Sequence, residues 1–204
     1  MTSAVLLVAA LATGAQPPAG SARYAIDRNH SRVGFSIRHF FMQAEGEFRD
    51  FEGSVQLHPG ALASSSVEVR IEAASIHTGN MDRDRELKAG DFFDVARHPE
   101  LRFESRSLEV KGLESFVLHG LLSIKGITRP VALECACRFL DPDARGRERL
   151  GCTATASVER ADFGLDWNLV LDGGNLMLGK QVSIRIDLVA VRDPAPEGRP
   201  VSAP

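Results

Sequence analysis

Apolar residues at every second position are the feature that most constrains this chain. Val67, Val69, Ile71 and Ala73 alternate with Glu68, Arg70 and Glu72, which puts one apolar and one charged face on a single extended segment. The same alternation runs through Val33-Phe35-Ile37, through Leu101-Phe103-Ser105 against Arg102-Glu104-Arg106, and through Val182-Ile184-Ile186-Leu188-Ala190 against Ser183-Arg185-Asp187. Val131, Leu133, Cys135, Cys137 and Phe139 form another such face, and after Asp141-Pro-Asp-Ala-Arg-Gly it returns as Cys152, Ala154, Ala156 and Val158. The two predict a hairpin. Phe116, Leu118, Gly120, Leu122 and Ile124 lead into Gly126 and pair with a strand starting near Thr128. Between Glu47 and Leu57 the phase slips, with Phe48 on even numbering and Phe51, Gly53, Val55 and Leu57 on odd, which predicts a β-bulge near Arg49-Asp50.

Many short strands, each with one wet face, predict an all-β sandwich or barrel. One helix interrupts them: Asn80 caps Met81 to Ala89, Gly90 suits the C′ position, and Asp91 caps a turn through Phe92, Phe93 and Asp94. The inner face carries Gly53, Ala73, Ser105, Gly120, Cys135, Cys137, Cys152, Ala154, Ala156 and Ala190 among larger Phe, Val, Ile and Leu side chains. So many small inward residues favour an antiparallel barrel with an unfilled apolar interior. The alternative is that small and large residues alternate to fit the taper of a filled barrel.

At 204 residues, 44% hydrophobic and 25% charged, the chain has the composition of one ordinary folded domain. Its net charge of −3 and lack of a basic cluster leave counterion release nothing to work with, which argues against a nucleic-acid partner. Residues 1–22 carry no charged side chain, and the apolar run Val5 to Leu11 before Thr13-Gly14-Ala15 reads as a signal peptide too short to span a bilayer. The barrel is expected over 23–192, and the Pro-rich stretch 193–204 reads as a disordered tail. Gly174-Asn-Leu-Met-Leu-Gly179-Lys180 approaches a phosphate-binding loop, but Gln181 stands where Ser or Thr is required and a strand follows, so it reads as a glycine-containing turn region. The six histidines show no paired metal-ligand spacing, and neither a metal nor a cofactor is expected.

The segments connecting these strands resemble the YceI-like, polyisoprenoid-binding family. The resemblance rests on Asp27-Arg-Asn-His-Ser-Arg-Val-Gly-Phe35 with Arg38-His39, on Gly46-Glu-Phe-Arg-Asp-Phe-Glu-Gly53, and on Ser75-Ile-His-Thr-Gly-Asn80 with Arg83-Asp84. It continues through Asp91-Phe-Phe-Asp94, His98-Pro99, Phe103-Glu-Ser105, Leu122-Ser-Ile-Lys-Gly-Ile-Thr-Arg-Pro-Val131 and Phe163-Gly-Leu165. The run Arg83 to Asp91 departs from the family pattern, which has His and Leu after the Arg-Asp pair and Ser before the Asp-Phe-Phe-Asp turn. The resemblance implies an extended lipocalin-like barrel, export to the periplasm, and a tunnel for an isoprenoid chain such as a quinone tail or polyprenyl lipid. A homodimer and transient contact with a membrane or membrane protein are further expectations, and no catalytic residue comes with the family.

The side chains expected to line the tunnel are Phe35, Ile37, Phe48, Val69, Ile71 and Phe103, joined by Leu122, Leu133 and Ile186 from later strands. Phe92, Phe93 and Phe163 join them from connecting segments, and the first two are expected together as a gate at one barrel end. Arg38, His39, Arg83 and Asp84 are candidates for a polar head group, against the plainer reading of solvated surface pairs. Cys137 falls opposite Cys152 if the hairpin closes symmetrically, close enough for a disulfide; three buried free thiols are the alternative. A lipid carrier needs only burial of apolar surface. An enzyme of isoprenoid or quinone metabolism would need titratable groups converging inward, and the alternation places nearly all charges outward. A ligand-free structural or partner-binding barrel is the third reading.

Overall fold

A computed structural model of the chain describes residues 20–170 and 177–194. The signal peptide read over 1–22 lies outside them up to residue 19, as do the tail from residue 195 and the first three residues of the 174–180 region read as a turn, whose last three residues belong to a strand. The strands are β1 (Ala22–Ile26), β2 (Arg32–His39), β3 (Met42–Phe48), β4 (Phe51–Leu57), β5 (Ser66–Glu72), β6 (Ile76–His77), β7 (Glu100–Val110), β8 (Ser115–Ile124), β9 (Ile127–Leu140), β10 (Arg149–Glu159) and β11 (Leu178–Arg192). The α-helix α1 (Met81–Lys88) lies between β6 and β7.

The 11 antiparallel strands form one sheet in the order β1-β4-β5-β7-β8-β9-β10-β11-β2-β3-β6, and pairing of β1 with β11 closes it. The closed ring has eight strands, β1, β4, β5 and β7 to β11; β2, β3 and β6 extend it at one end. The extension arises from long strands that break. β1 and β2 both run along β11, with Ile26 opposite Ala190 and Arg32 opposite Asp187. β3 and β4 break in the same way beside them, as do β5 and β6, and backbone bonds from Arg49 to Ser75 (3.2 Å) and Glu72 to Asp50 (2.9 Å) tie those two breaks together. The sheet therefore flares where β6 ends, and α1 with its following turns occupies the chain between β6 and β7.

The phase slip at Arg49-Asp50 is one of these breaks, not the expected bulge. β3 and β4 do not pair with each other, and Phe48 and Phe51 are both buried because each strand starts its own inward register. Alternation alone cannot tell an extra residue within one strand from a corner between two. A register shift does occur in β7, between Ser105 and Ser107, where the Ser105 hydroxyl accepts the Val67 amide at 2.8 Å.

The barrel end away from α1 is packed solid by Ala22, Tyr24, Val55, Phe139, Leu150 and Ala190. Tyr24 is fully buried and donates to Glu148 at 3.1 Å, which Arg192 also holds at 2.8 Å. Burial and the adjacent carboxylate together push the phenol pKa up. At the opposite end the β8–β9 hairpin turns through Lys125 (φ 50°) and Gly126 (φ 75°), the paired positive angles of a type I′ turn.

Several small inward residues fill space instead of leaving it open. Gly120 lies under the Phe103 ring and Gly46 under the Phe35 ring, while Ala73 and Ala190 are fully packed. Of the ten small residues, only Cys135, Cys137, Cys152 and Ala154 border the interior space. A Cβ at Gly120 would sit 2.5 Å from the Phe103 ring and 2.6 Å from the Glu104 carbonyl, whereas one at Gly60 would meet nothing within 4 Å. Gly120→Ala is therefore expected to destabilise by about 1–3 kcal/mol and Gly60→Ala to stay within about 0.5 kcal/mol, read as shifts in the urea midpoint.

Candidate functional site

An apolar cavity of about 370 Å³ runs inside the barrel. All 12 side chains that the alternation and the connecting segments placed inside border it: Phe35, Ile37, Phe48, Val69, Ile71 and Phe103 with Leu122, Leu133 and Ile186, then Phe92, Phe93 and Phe163. Many inward residues are only half-buried: Phe35 and Ile37 on β2, Val67 and Val69 on β5, and Val182, Ile184, Ile186 and Leu188 on β11. An apolar residue that points into a barrel yet keeps accessible surface is facing unfilled space, so these walls do not meet across the centre. From Val182 to Leu188 the open wall spans six residue steps, about 20 Å at the usual strand rise.

The α1 segment forms the roof at the flared end. The Asn80 side chain accepts the Asp82 and Arg83 amides, both at 3.1 Å, which starts the helix. Arg83 and Asp84 both grip Thr78: Arg83 Nε donates to its hydroxyl at 2.8 Å and Nη2 to its carbonyl at 2.9 Å, while the Asp84 carboxylate accepts its amide at 2.8 Å and hydroxyl at 2.6 Å. His77 Nδ1 lies 3.2 Å from the same carboxylate. Burial opposes charge on Asp84, but the Thr78 and His77 contacts outweigh it and hold the carboxyl below its usual range.

The helix ends at Lys88 with Ala89 as its cap, so Gly90 is not the left-handed C′ residue; Asp94 takes the positive φ (49°) of this stretch instead. Nor does the Asp91 side chain cap the next turn among the described hydrogen bonds. That turn is held by backbone bonds from Phe93 to Leu87 (3.0 Å) and Asp94 to Ala89 (3.0 Å), and Lys125 reaches across to the Gly90 carbonyl at 2.8 Å. Phe92 and Phe93 do not act as a pair. Phe93 packs edge-on against Phe48 with ring centroids 5.7 Å apart, whereas Phe92 stacks on Trp167 at 5.4 Å. Phe93 is thus seated in the wall, and Phe92 with Trp167 covers the mouth.

Of the four head-group candidates, His39 and Arg83 border the cavity, while Arg38 and Asp84 do not. Arg38 is exposed and donates to the Phe40 carbonyl at 3.2 Å. Around the mouth lies an apolar rim: Phe40, Phe41, Met42, Met81, Trp167, Leu169 and Val170 are all exposed. Backbone bonds from Phe40 to Met177 (2.8 Å) and Met177 to Leu169 (2.9 Å) join two of its segments. Cys137 and Cys152 stand directly opposite each other on β9 and β10 and are disulfide-bonded, with Cα atoms 4.1 Å apart. Cys135 stays a thiol, and burial pushes its pKa up to about 11.

Among the cavity residues that the sequence reading did not single out, Trp167 and Arg160 matter most. Arg160 is buried, with 7% of its surface exposed, and borders the cavity beneath Trp167. The signal was present, because Cys152, Ala154, Ala156 and Val158 count onward in steps of two to Arg160. Its charge put it outside a pattern that assigned charges to the wet face. Ser31 and His30 hold the connection between β1 and β2: His30 Nδ1 lies 2.8 Å from Asp27, and the Ser31 hydroxyl accepts the Val189 amide at 2.9 Å.

The model of the family described as YceI-like domain matches residues 24–190. The chain belongs to this YceI-like family. A UPF0312 protein of Azotobacter vinelandii is 34% identical over 154 residues, 73% of this chain and 79% of that protein. One from Pseudomonas aeruginosa is 32% identical over 170 residues, 82% of this chain and 87% of its own length. Among solved structures, Burkholderia cenocepacia BcnA superposes with a TM-score of 0.70 at 22% identity, covering 80% of this chain and 98% of BcnA. A polyisoprenoid-binding domain from Saccharophagus degradans, implicated in plant cell wall breakdown, superposes with a TM-score of 0.63 at 14% identity, covering 83% and 98%. These two likenesses concern the fold. The YceI-like barrel of this chain thus has the expected all-β, lipocalin-like architecture.

In this YceI-like chain the roof is tied down by a carboxylate. Because the folded Asp84 pKa lies below the unfolded value of about 3.9, its stabilising effect is complete above that value and is lost as pH falls through the folded pKa. Amide-exchange protection of α1 is expected to fall on acidification before that of β9 and β10, and Asp84→Asn to show the lowered α1 protection already at neutral pH. Equal loss across α1 and the barrel strands would contradict this.

Proposed function

We propose that this YceI-like protein is an exported, non-catalytic carrier that holds an isoprenoid lipid, a polyprenyl chain or the tail of an isoprenoid quinone, in its barrel. The observation that carries the reading is the set of inward apolar side chains left half-exposed around a cavity of about 370 Å³. Filling that space with an alkyl chain removes both surfaces from water, at roughly 0.8 kcal/mol per buried methylene. A branched hydrocarbon suits walls of Phe, Ile, Leu and Val, which offer no directional bond along their length. The polyisoprenoid-binding domain of Saccharophagus degradans shares the fold, which supports the ligand class.

A catalytic reading finds little to work with. Cys135 is the cavity thiol, and a pKa of about 11 keeps it protonated and unreactive near neutral pH. Of the charged side chains bordering the space, Glu45, Glu86 and Arg138 are exposed to water. Export is supported by the Cys137–Cys152 bridge, a pairing at home in an oxidising compartment. The exposed apolar rim of Phe40, Phe41, Met42 and Leu169 surrounds the mouth, where a lipid would have to pass between bilayer and barrel. We assign that rim to transient membrane contact and the Phe92–Trp167 pair to the gate.

Native mass spectrometry of the protein from its periplasmic fraction is expected to show a noncovalent adduct that organic extraction releases as an isoprenoid. Protein that carries no lipid and takes up neither added polyprenol nor quinone would contradict the carrier reading. Phe92→Ala is expected to speed transfer of a preloaded polyprenol to acceptor vesicles by about tenfold with the fold retained, since one aromatic contact contributes about 0.5–1.5 kcal/mol. Phe93→Ala, which removes a wall residue, is expected to destabilise by about 3–5 kcal/mol instead.

A further inference from the structure

Arg160 stands where an apolar cavity has no need of a cation. The inward register of β10 ends on it, and the 3-10 turn Arg160–Phe163 begins there. Nε donates to the Gly179 carbonyl at 2.9 Å, and Nη1 donates to the carbonyls of Leu165 and of Trp167, the latter at 2.9 Å. Those bonds use three of the five guanidinium N–H groups, all on neutral backbone acceptors. Among the described residues no carboxylate lies within ion-pair distance, and the two N–H groups of Nη2 have no partner. The described structure also contains no fully buried side-chain nitrogen left without a hydrogen bond. Nη2 therefore keeps accessible surface, although the residue as a whole is 7% exposed and borders the cavity.

The carboxylate that acts on this guanidinium, Asp166, is exposed and beyond ion-pair distance, so the buried cation is held at a cost that an incoming anion would offset. The surroundings suit that role: the cation lies beneath the Phe92–Trp167 cover, at the mouth end of a hydrocarbon-lined space, with its remaining fork of donors unspent. The other charged groups bordering the cavity differ. Glu45, Glu86 and Arg138 are exposed to water, and Arg83 is half-buried with Nε and Nη2 already committed to Thr78. Backbone carbonyls also fix the Arg160 fork in place, so it loses little freedom on binding.

We propose that Arg160 is the head-group site of the cavity and selects an isoprenoid bearing an anionic phosphate over one ending in a neutral group. The inference rests on the carrier reading above and sharpens it: the apolar walls accept any chain of suitable length, and Arg160 sorts chains by their ends. A charged hydrogen bond in this setting corresponds to about 10- to 100-fold in affinity.

The test is a competition read by native mass spectrometry, with a polyprenyl monophosphate and the polyprenol of the same chain length offered together to the full-length protein. Wild type is expected to hold the phosphate over the alcohol by about tenfold or more. Arg160→Met is expected to bring the ratio close to one while the alcohol still binds, and Arg83→Met to leave the preference in place. Arg160→Gln, which can still donate to backbone carbonyls, serves if the methionine variant does not fold. Methylating the phosphate to a neutral triester should abolish the preference in wild type. Equal binding of phosphate and alcohol in wild type would overturn the assignment and leave the carrier reading standing, as would a preference that survives in a folded Arg160 variant. Entry of neither lipid would overturn both. Displacement of the lipid phosphate by excess inorganic phosphate would mark a free-anion site, and would also overturn the head-group assignment.

Discussion

The pairing of β1 with β11 is the contact on which the rest of this structure depends. A barrel whose inward side chains do not meet gains no packing across its centre, so the wall must be held by a continuous backbone ladder and by its two ends. Tyr24, Val55, Phe139, Leu150 and Ala190 seal one end at the place where β1 closes onto β11, and Tyr24 contributes both buried area and the bond to Glu148. The Cys137–Cys152 bridge lies near the same end and cross-links β9 to β10. Stability is thus concentrated away from the mouth, which leaves the flared end free to be shaped for a ligand.

The breaks in β1/β2, β3/β4 and β5/β6 divide those two roles. Below them the strands form the closed ring; above them β2, β3 and β6 splay outward, and α1 with its turns supplies the roof. The ties that hold the roof are polar and local, from Arg83 and Asp84 to Thr78 and from Lys125 to Gly90. Elements held by a few partly solvated bonds open more readily than a strand ladder does. An apolar interior behind a lightly fastened cover is what a carrier that must load and unload requires.

Much of this was legible in the sequence because period-two alternation reports directly which side chains share a face. The twelve cavity-lining side chains were found that way or from the connecting motifs, and the pairing of Cys137 with Cys152 followed from closing the hairpin symmetrically. What was not legible lay where alternation stops. The corner at Arg49-Asp50 mimics a bulge, since both shift the phase by one residue. Phe92 and Phe93 are adjacent in sequence, yet the turn after α1 sends one ring to Trp167 and the other to Phe48. Gly120 read as open space, whereas it is the floor beneath the Phe103 ring of the neighbouring strand. Arg160 kept the inward phase of β10, but a charged residue on an apolar register carries two conflicting signals, and only the fold decides between them.

The central claim, that the interior of this barrel is the lipid site, is tested most directly by paramagnetic broadening of methyl resonances with a spin-labelled polyprenol. The account predicts loss of signal at Ile71, Leu122, Leu133 and Ile186, which border the cavity, while the exposed Val110 and Leu113 are unaffected. Broadening confined to the outer rim at Leu169 and Val170, with the interior methyls unchanged at saturating lipid, would contradict it.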